Sequence, residues 1–291
     1  MKKIGILLDS SCGLSRKQAK SMGFYFVPIL IDFDNKEYRS GIDINTNFLI
    51  KNMKPETRVS TAAITLGTLK ISFDEALEEV EELIFISLSK YLSSINSTAK
   101  QLAKNYDGRV HVYNSNFITP WLQSEIPFLR EAIKKQLTVK EIFSELDKHK
   151  NGMLAFLSPS SLTFLYKGGR ITKKQYIAGN LLKIKPIIVV KDGQINSEDV
   201  IKTRTSGKAY NKMINLILEK KKELEENNFI VDLVSLTMDK KANIELFKNK
   251  LEENNIKKIA DSFLAPEIIA HVGPNAMGIG IIIKEKNKST K

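Results

Sequence analysis

The sequence predicts an α/β protein of two domains, and three observations carry that prediction. Short apolar runs such as Ile4 to Leu8 and Leu83 to Leu88 alternate with helical segments through the first half. The second half repeats the mixture in different proportions. Between them lies Lys148-His149-Lys150-Asn151-Gly152, which is polar, charged and ended by glycine. A chain of 291 residues, 42% hydrophobic, is long enough to bury two such cores.

Taken in order, Ile4 to Leu8 reads as a buried strand closed by the polar Asp9-Ser10-Ser11. Ser15 to Met22 is a short helix stopped at Gly23. Phe24 to Ile31 is a second strand, at an edge because of Pro28. Thr46 to Met53 and Phe73 to Glu82 are helical, Leu83 to Leu88 is a strand, Ser93 to Leu102 a helix and Val110 to Tyr113 a strand. This alternation implies a largely parallel sheet. Pro127 marks a helix start or kink, with Leu129, Ile133 and Leu137 on the face that follows. Thr138 and Glu141 form a capping box before the stripe Val139, Ile142, Phe143 and Leu146.

Beyond the boundary, Leu154 to Leu157 and Ile187 to Val190 are strands, and Asp192-Gly193 turns a hairpin into a strand near Ile195. Tyr210, Met213, Ile214, Ile217 and Leu224 mark a long amphipathic helix. Phe229 to Leu236 is a strand, Ile244, Phe247 and Leu251 share a helix face, and Ile279 to Ile283 closes the sheet. Residues 284 to 291 form a polar tail.

Composition removes several function classes. The net charge of +12 comes from lysines spread along the chain, and the densest cluster, Lys220-Lys221-Lys222, is offset by Glu219, Glu223, Glu225 and Glu226. That pattern is a solvated helix face more than a binding patch. The basic excess favours acidic partners or anionic membrane surfaces in general terms, but no basic recognition helix supports nucleic acid binding. Cys12 is the only cysteine, which excludes a disulfide framework and a multi-thiolate metal site. Asp9 ends the first apolar run too early for a signal peptide, and no run is long enough for a membrane span, so a cytoplasmic location is expected. There is no P-loop, no dinucleotide fingerprint among Gly273, Gly278 and Gly280, and no Gly-x-Ser-x-Gly elbow. His111, His149 and His271 are too scattered for a zinc motif.

What remains is a set of polar groups in apolar surroundings: Ser60-Thr61, Ser93-Ser94, Gly168-Gly169-Arg170 and His271 before Val272-Gly273-Pro274. Singly, each has a plain structural reading. Ser60 or Thr61 can cap a following helix, Ser93 sits where an N-cap would, Arg170 can serve a tight turn, and His271 can be a core histidine. Together they hold what a carboxylate requires, namely hydroxyl donors, a cation and an imidazole. Spacing alone does not bring them together.

Lys167-Gly168-Gly169-Arg170-Ile171, with Gly179-Asn180-Leu181-Leu182 and Ile184-Lys185-Pro186-Ile187 after it, resembles the signature of the DegV family of bacterial fatty-acid-binding proteins. The resemblance runs from Asp9-Ser10-Ser11 to His271-Val272-Gly273-Pro274. Ser60-Thr61 is similar to the family's threonine-serine pair in reverse, and Leu92-Ser93-Ser94-Ile95 to its Leu-Ser-Gly-Thr segment. Gly168-Gly169-Arg170 and His271 match directly. Ala62-Ala63 stands where the family has Gln-Pro, Ser94-Ile95 replaces Gly-Thr, and Asn275 replaces a glycine, so chain-length preference does not carry over.

The resemblance implies a Rossmann-like N-terminal domain with a parallel sheet over 1–150, a mixed α/β C-terminal domain over 151–285, a tail over 286–291 and a ligand between the domains. Part of 62–80 is then expected to pack with the second domain. It further implies a carrier rather than an enzyme, without cofactor or metal, holding one long-chain fatty acid in an apolar tunnel. About fourteen buried methylenes at roughly 0.8 kcal/mol each supply on the order of 11 kcal/mol gross, and the polar cluster fixes direction. Thr61 and Ser93 are expected on the carboxylate, with Ser60 as alternate and His271 as second donor. Gly168, Gly169 and Arg170 would serve the head group, a phosphate or the partner. That partner would be a fatty acid kinase catalytic subunit, which makes the acyl-phosphate used in phospholipid metabolism, with an anionic membrane surface as a transient partner. The alternatives are a stand-alone enzyme on an acyl or phosphoryl substrate, which would turn over without a partner, and a nucleic-acid-binding protein.

Overall fold

A computed structural model of the chain describes residues 3–150, 152–195, 199–237, 241–256 and 259–285. The chain divides into two compact units. The first comprises residues 1–151 together with Leu264–His271, and the second comprises Gly152–Phe263 and 272–291.

The first unit is built on the parallel sheet that the alternation predicts. Its strands β1 (Ile4–Asp9), β2 (Tyr25–Val27), β6 (Glu82–Ile86) and β7 (Val110–Val112) lie in the order β2-β1-β6-β7, all parallel. Ile6, Leu7, Leu8 and Leu83 to Ile86 are buried, so these strands read as unbroken apolar runs. Helices Arg16–Ser21, Leu66–Leu77, Ile95–Ala103 and Trp121–Lys134 belong to the same unit. Thr65 caps the second of them through the Thr68 amide. The Thr138–Glu141 capping box forms as expected and starts helix Val139–His149. Helix Trp121–Lys134 begins six residues before Pro127, so that proline is not its start.

A second, three-stranded sheet in this unit was not read from the sequence. The run from Phe24 to Ile31 is two strands, because Pro28 supplies no amide hydrogen to continue a ladder. Tyr25–Val27 is an edge strand of the parallel sheet, whereas β3 (Leu30–Phe33) is the centre of the other sheet. There β3 pairs antiparallel with β4 (Lys36–Arg39) and with β5 (Val59–Ala62). Asp34 and Asn35, both at positive φ, turn the β3–β4 hairpin.

The second unit is a mixed sheet of β8 (Leu154–Ser158), β9 (Lys185–Lys191), β10 (Gln194–Ile195), β11 (Ile201–Thr203), β12 (Phe229–Thr237), β13 (Ala260–Ser262) and β14 (Met277–Glu285). The main path is β10-β9-β8-β14-β12-β13, with β11 paired to β9. Asp192 and Gly193, at φ 47° and 76°, turn the β9–β10 hairpin as predicted. The last strand does not close the sheet but lies between β8 and β12. A strand with Gly278, Ile279, Gly280 and Ile281 in succession suits that interior place. A methyl added at Gly278 would come within 2.7 Å of the Phe156 carbonyl.

Helix Ser206–Glu226 lays Ala209, Tyr210, Met213, Ile214 and Ile217 into this unit's core, beside Phe247 and Leu251 of helix Lys241–Glu253. The lysine cluster at its far end pairs locally: Lys220 with Glu223, Lys221 with Glu225 and Lys222 with Glu226. The 286–291 tail lies outside the described residues.

The sequence boundary at 150 leaves out one feature of the first unit. Leu264–His271 returns to it from the C-terminal half. The Thr46 hydroxyl donates to the Leu264 carbonyl at 2.9 Å, and Ser10 donates to Glu267. Helix Leu66–Leu77 and its flanks also fall in the first unit.

Candidate functional site

In an open parallel sheet, ligands bind outside the carboxyl ends of the strands where the strand order reverses. Here the chain leaves β1 for β2 on one side, and β6 lies on the other. The reversal therefore falls between β1 and β6. Asp9 ends β1, and its Oδ2 accepts the Leu88 amide at 2.7 Å from the segment after β6. Its Oδ1 accepts from the Ser11 amide and hydroxyl. Asp9 is fully buried, and desolvation raises its pKa to about 7, with the charge of Glu267 adding to the rise and the Ser11 and Leu88 bonds opposing it.

The segment tied down by Asp9 carries Ser93. The Ser89 and Lys90 amides donate to the Phe117 and Ser115 carbonyls after β7, which holds this segment from the other side. Ser93 is half-buried, and its Oγ accepts the Ile95 amide at 3.3 Å. Ser94, the residue at the N-cap of helix Ile95–Ala103, makes no side-chain cap bond. Ser93 therefore stands one residue before the N-cap, and its bond to the Ile95 amide is a local serine turn in place of the expected cap.

Thr61 and His271 are brought together. Thr61 Oγ1 lies 3.0 Å from His271 Nε2. Strand alternation places Thr61 on the face of buried Val59 and opposite buried Ile31, and it sends Ser60 to the other face, where it is exposed. Ser60 and Thr61 therefore do not share a surface. Neither caps a helix, since Thr65 has that role. His271 lies in the last turn of helix Pro266–Val272, one turn after Glu267 on the same face.

Glu267 is the residue that sequence reading missed. It is 2% exposed, and its Oε1 accepts from the Ser10 hydroxyl, which itself accepts the Ile29 amide at 3.0 Å. Burial raises the Glu267 pKa, and the Ser10 and Ser40 hydroxyls partly offset the rise. A lone acid among Leu264, Ala265, Ile268, Ile269 and Ala270 was the signal available in the sequence. Asp9-Ser10-Ser11 was visible as well, but only as a polar loop.

In the second unit, Gly168-Gly169-Arg170 closes helix Thr163–Lys167 as a Schellman turn. The Gly169 amide donates to Tyr166 and the Arg170 amide to Leu165, at 3.0 and 2.8 Å. Gly169 has φ +69°, and nothing lies within 4 Å of where its Cβ would be, so backbone conformation, not space, calls for glycine. Arg170 is exposed, and one guanidinium nitrogen donates to the Gly168 carbonyl at 2.8 Å. Helix Lys173–Leu181 follows, stacked through Tyr176 on Tyr166 at 4.7 Å. Gly179 lies against Leu162, whose side chain would have to shift for any larger residue there.

Cys12 is buried, and burial pushes its thiol far above the usual range. Among the described residues no three His, Cys, Asp or Glu side chains are grouped to hold a metal ion, and no helix is long and apolar enough to cross a membrane.

The model of the family described as "Uncharacterised protein, DegV family" matches residues 3–284. The chain belongs to the DegV family. A DegV domain-containing protein of Staphylococcus aureus (strain COL) is 28% identical over 98% of this chain and 100% of its own length. Another, from Mycoplasmopsis pulmonis, is 26% identical over 98% and 96%. Among solved structures, a DegV protein of Thermus thermophilus, described by its fatty acid binding, superposes with a TM-score of 0.78 at 20% identity, covering 97% of this chain and 99% of that one. A stearic acid-binding protein of Eubacterium ventriosum gives 0.77 at 25% identity, with 97% and 98% covered. The DegV fatty acid binding protein of Bacillus subtilis gives 0.75 at 21%, with 98% and 100% covered. The DegV fold, with its parallel and mixed sheets, is thus the fold of this chain.

Proposed function

We propose that this DegV protein binds one long-chain fatty acid and presents it to a separate fatty acid kinase, which converts the carboxylate to an acyl-phosphate. The observation that carries the reading is the whole-chain likeness to the stearic acid-binding protein of Eubacterium ventriosum. Thr61 Oγ1 and Ser93 Oγ are the hydroxyls assigned to the carboxylate, and His271 acts as second donor through Thr61: its Nε2–H donates to Thr61 Oγ1 and leaves the hydroxyl proton for the ligand. The Thr61–His271 pair supports this: a hydroxyl held by an imidazole is oriented before the ligand arrives, which lowers the ordering cost of binding. Ser60 is the weaker candidate because it faces away from that pair.

Arg170 is assigned to the phosphate or to the kinase. Its exposure and its place on a rigid Schellman turn suit a permanent cation that meets a group arriving from outside. On this reading the chain is a carrier acting in the cytoplasm, and phosphoryl chemistry belongs to the partner. Helix Lys173–Leu181 supports a transient encounter with an anionic membrane. Ile177, Leu181 and Leu182 are 53%, 81% and 61% exposed, beside exposed Lys173, Lys174 and Lys183.

Native mass spectrometry of the purified protein, followed by organic extraction, tests the proposal. A one-to-one adduct that extracts as a long-chain fatty acid is the expected result. A lipid-free protein that takes up no added fatty acid would remove the carrier reading and leave the stand-alone enzyme to be screened.

A further inference from the structure

Glu267 is out of place for a purely structural residue. Leu264, Ala265, Ile269 and Ala270 around it in sequence are all fully buried, and an apolar side chain would join them without desolvation cost. A carboxyl in such surroundings is costly unless it is paired or neutral. Its Oε1 has the Ser10 hydroxyl, while Oε2 and the Ser40 hydroxyl are enclosed without a well-formed hydrogen bond. Ser10 in turn is fixed by the Ile29 amide, in the link between β2 and β3. The carboxyl therefore joins the helix that bears His271 to the end of β1 and to the strand link beyond it. His271 follows one turn later on the same face, with Nε2 on Thr61.

We infer that Glu267 is a positioning residue: through Ser10 it sets the register of helix Pro266–Val272 and thereby holds His271 Nε2 against the Thr61 hydroxyl. The inference rests on the proposed binding of a fatty acid for its functional consequence, but not for its geometry. The titratable groups that face Glu267 are Asp9 at the end of β1, Cys12 in the turn after it and His271 on its own helix. Asp9 and Cys12 are both pushed toward their neutral forms by burial, and the Glu267 carboxyl is pushed the same way. The carboxyl accepts from Ser10, and the Ser40 hydroxyl is the second hydroxyl beside it.

The test uses the full-length chain labelled at histidine, with its three imidazoles observed by NMR and His271 assigned with a His271→Gln variant. His111 and His149 pair with Glu82 and Glu125, so they serve as internal controls. Palmitate affinity is measured on the same samples. Glu267→Gln keeps an acceptor for Ser10 and is expected to leave the His271 signals and the palmitate Kd near wild type. Glu267→Leu is expected to move the His271 signals toward those of an unconstrained imidazole and to weaken palmitate about tenfold, the scale of one hydrogen bond to a charged group. A folded Glu267→Leu protein with unchanged signals and Kd overturns the inference, as does a Glu267→Gln variant as damaged as the leucine. Should Glu267→Leu fail to fold, Ser10→Ala replaces it, with the same expected His271 shift and the same overturning result. A wild type that binds no palmitate removes the functional reading, while the imidazole signals still decide the positioning role.

Discussion

His271 Nε2 stands 3.0 Å from Thr61 Oγ1, although 210 residues separate the two in the chain. The pair forms because a C-terminal helix segment returns to the N-terminal unit and because strand β5 turns Thr61, not Ser60, toward it. From this one distance a ranking of the hydroxyls follows.

Thr61→Val keeps the shape of the side chain and deletes the hydroxyl. Fatty acid affinity should fall about 10- to 100-fold, as expected for a hydrogen bond to a charged group. Ser60→Ala should stay within about twofold, because that side chain faces the other side of the strand. Displacement of a fluorescent fatty acid reads both. Greater damage from Ser60→Ala would reverse the assignment.

Arg170→Ala should leave fatty acid affinity within about twofold and still slow acyl-phosphate formation when a fatty acid kinase is supplied. The basis is its exposed guanidinium, which donates to the Gly168 carbonyl within its own turn. Equal loss of binding and phosphorylation would place Arg170 on the bound carboxylate instead.

Gly169→Ala puts a Cβ on a residue at φ +69° and should cost about 1–2 kcal/mol. Thermal denaturation should drop by roughly 2–4 °C per kcal/mol for a chain of this size. Gly169→Asn should cost less, since asparagine tolerates the left-handed region. Because open space surrounds the position, an alanine as stable as wild type would mean that the turn relaxes.

Stability should fall as pH rises from the unfolded value of 3.8 to about 7 and level off above it. Asp9 is raised by burial from 3.8 to about 7, so the folded state holds its proton more tightly than the unfolded chain. The contribution is complete below pH 3.8 and is lost as pH rises through about 7. Glu267 is raised too and acts in the same direction. Asp43, lowered to about 2 by Arg39, acts at the acid end, outside this window. Melting curves of wild type and Asp9→Asn across pH 4–8 check the sign. The variant gives up a hydrogen bond but should lose most of the slope, and an unchanged slope would exclude Asp9 as its source.

Leu181→Glu with Leu182→Glu should reduce co-flotation with anionic vesicles several-fold while leaving the melting temperature nearly unchanged, since both side chains are exposed. Unaltered flotation would move the membrane contact elsewhere.

Local order was legible wherever a local cause set it. Apolar runs gave β1 and β6, the Thr138–Glu141 box started its helix, Asp192-Gly193 made its hairpin, and the lysine cluster paired with its own glutamates. The same local reading missed β4 and β5. Lys36–Arg39 and Val59–Ala62 have little apolar content, and β5 reaches β3 only across the intervening helix Thr46–Asn52. It also misplaced β14, because a strand's neighbours in a sheet are set by pairing and not by its position in the chain.

By itself the sequence determined the α/β class, the glycine turn that presents Arg170, and the residue types a carboxylate needs. Only the tertiary structure decided which of those residues meet. It set Thr61 beside His271 and Ser60 away from it, and it enclosed Asp9 and Glu267 beside Ser10. The reason is physical. Backbone conformation and capping depend on a few adjacent residues, whereas the burial of a carboxyl and the orientation of an imidazole depend on segments that the folded chain alone brings into range.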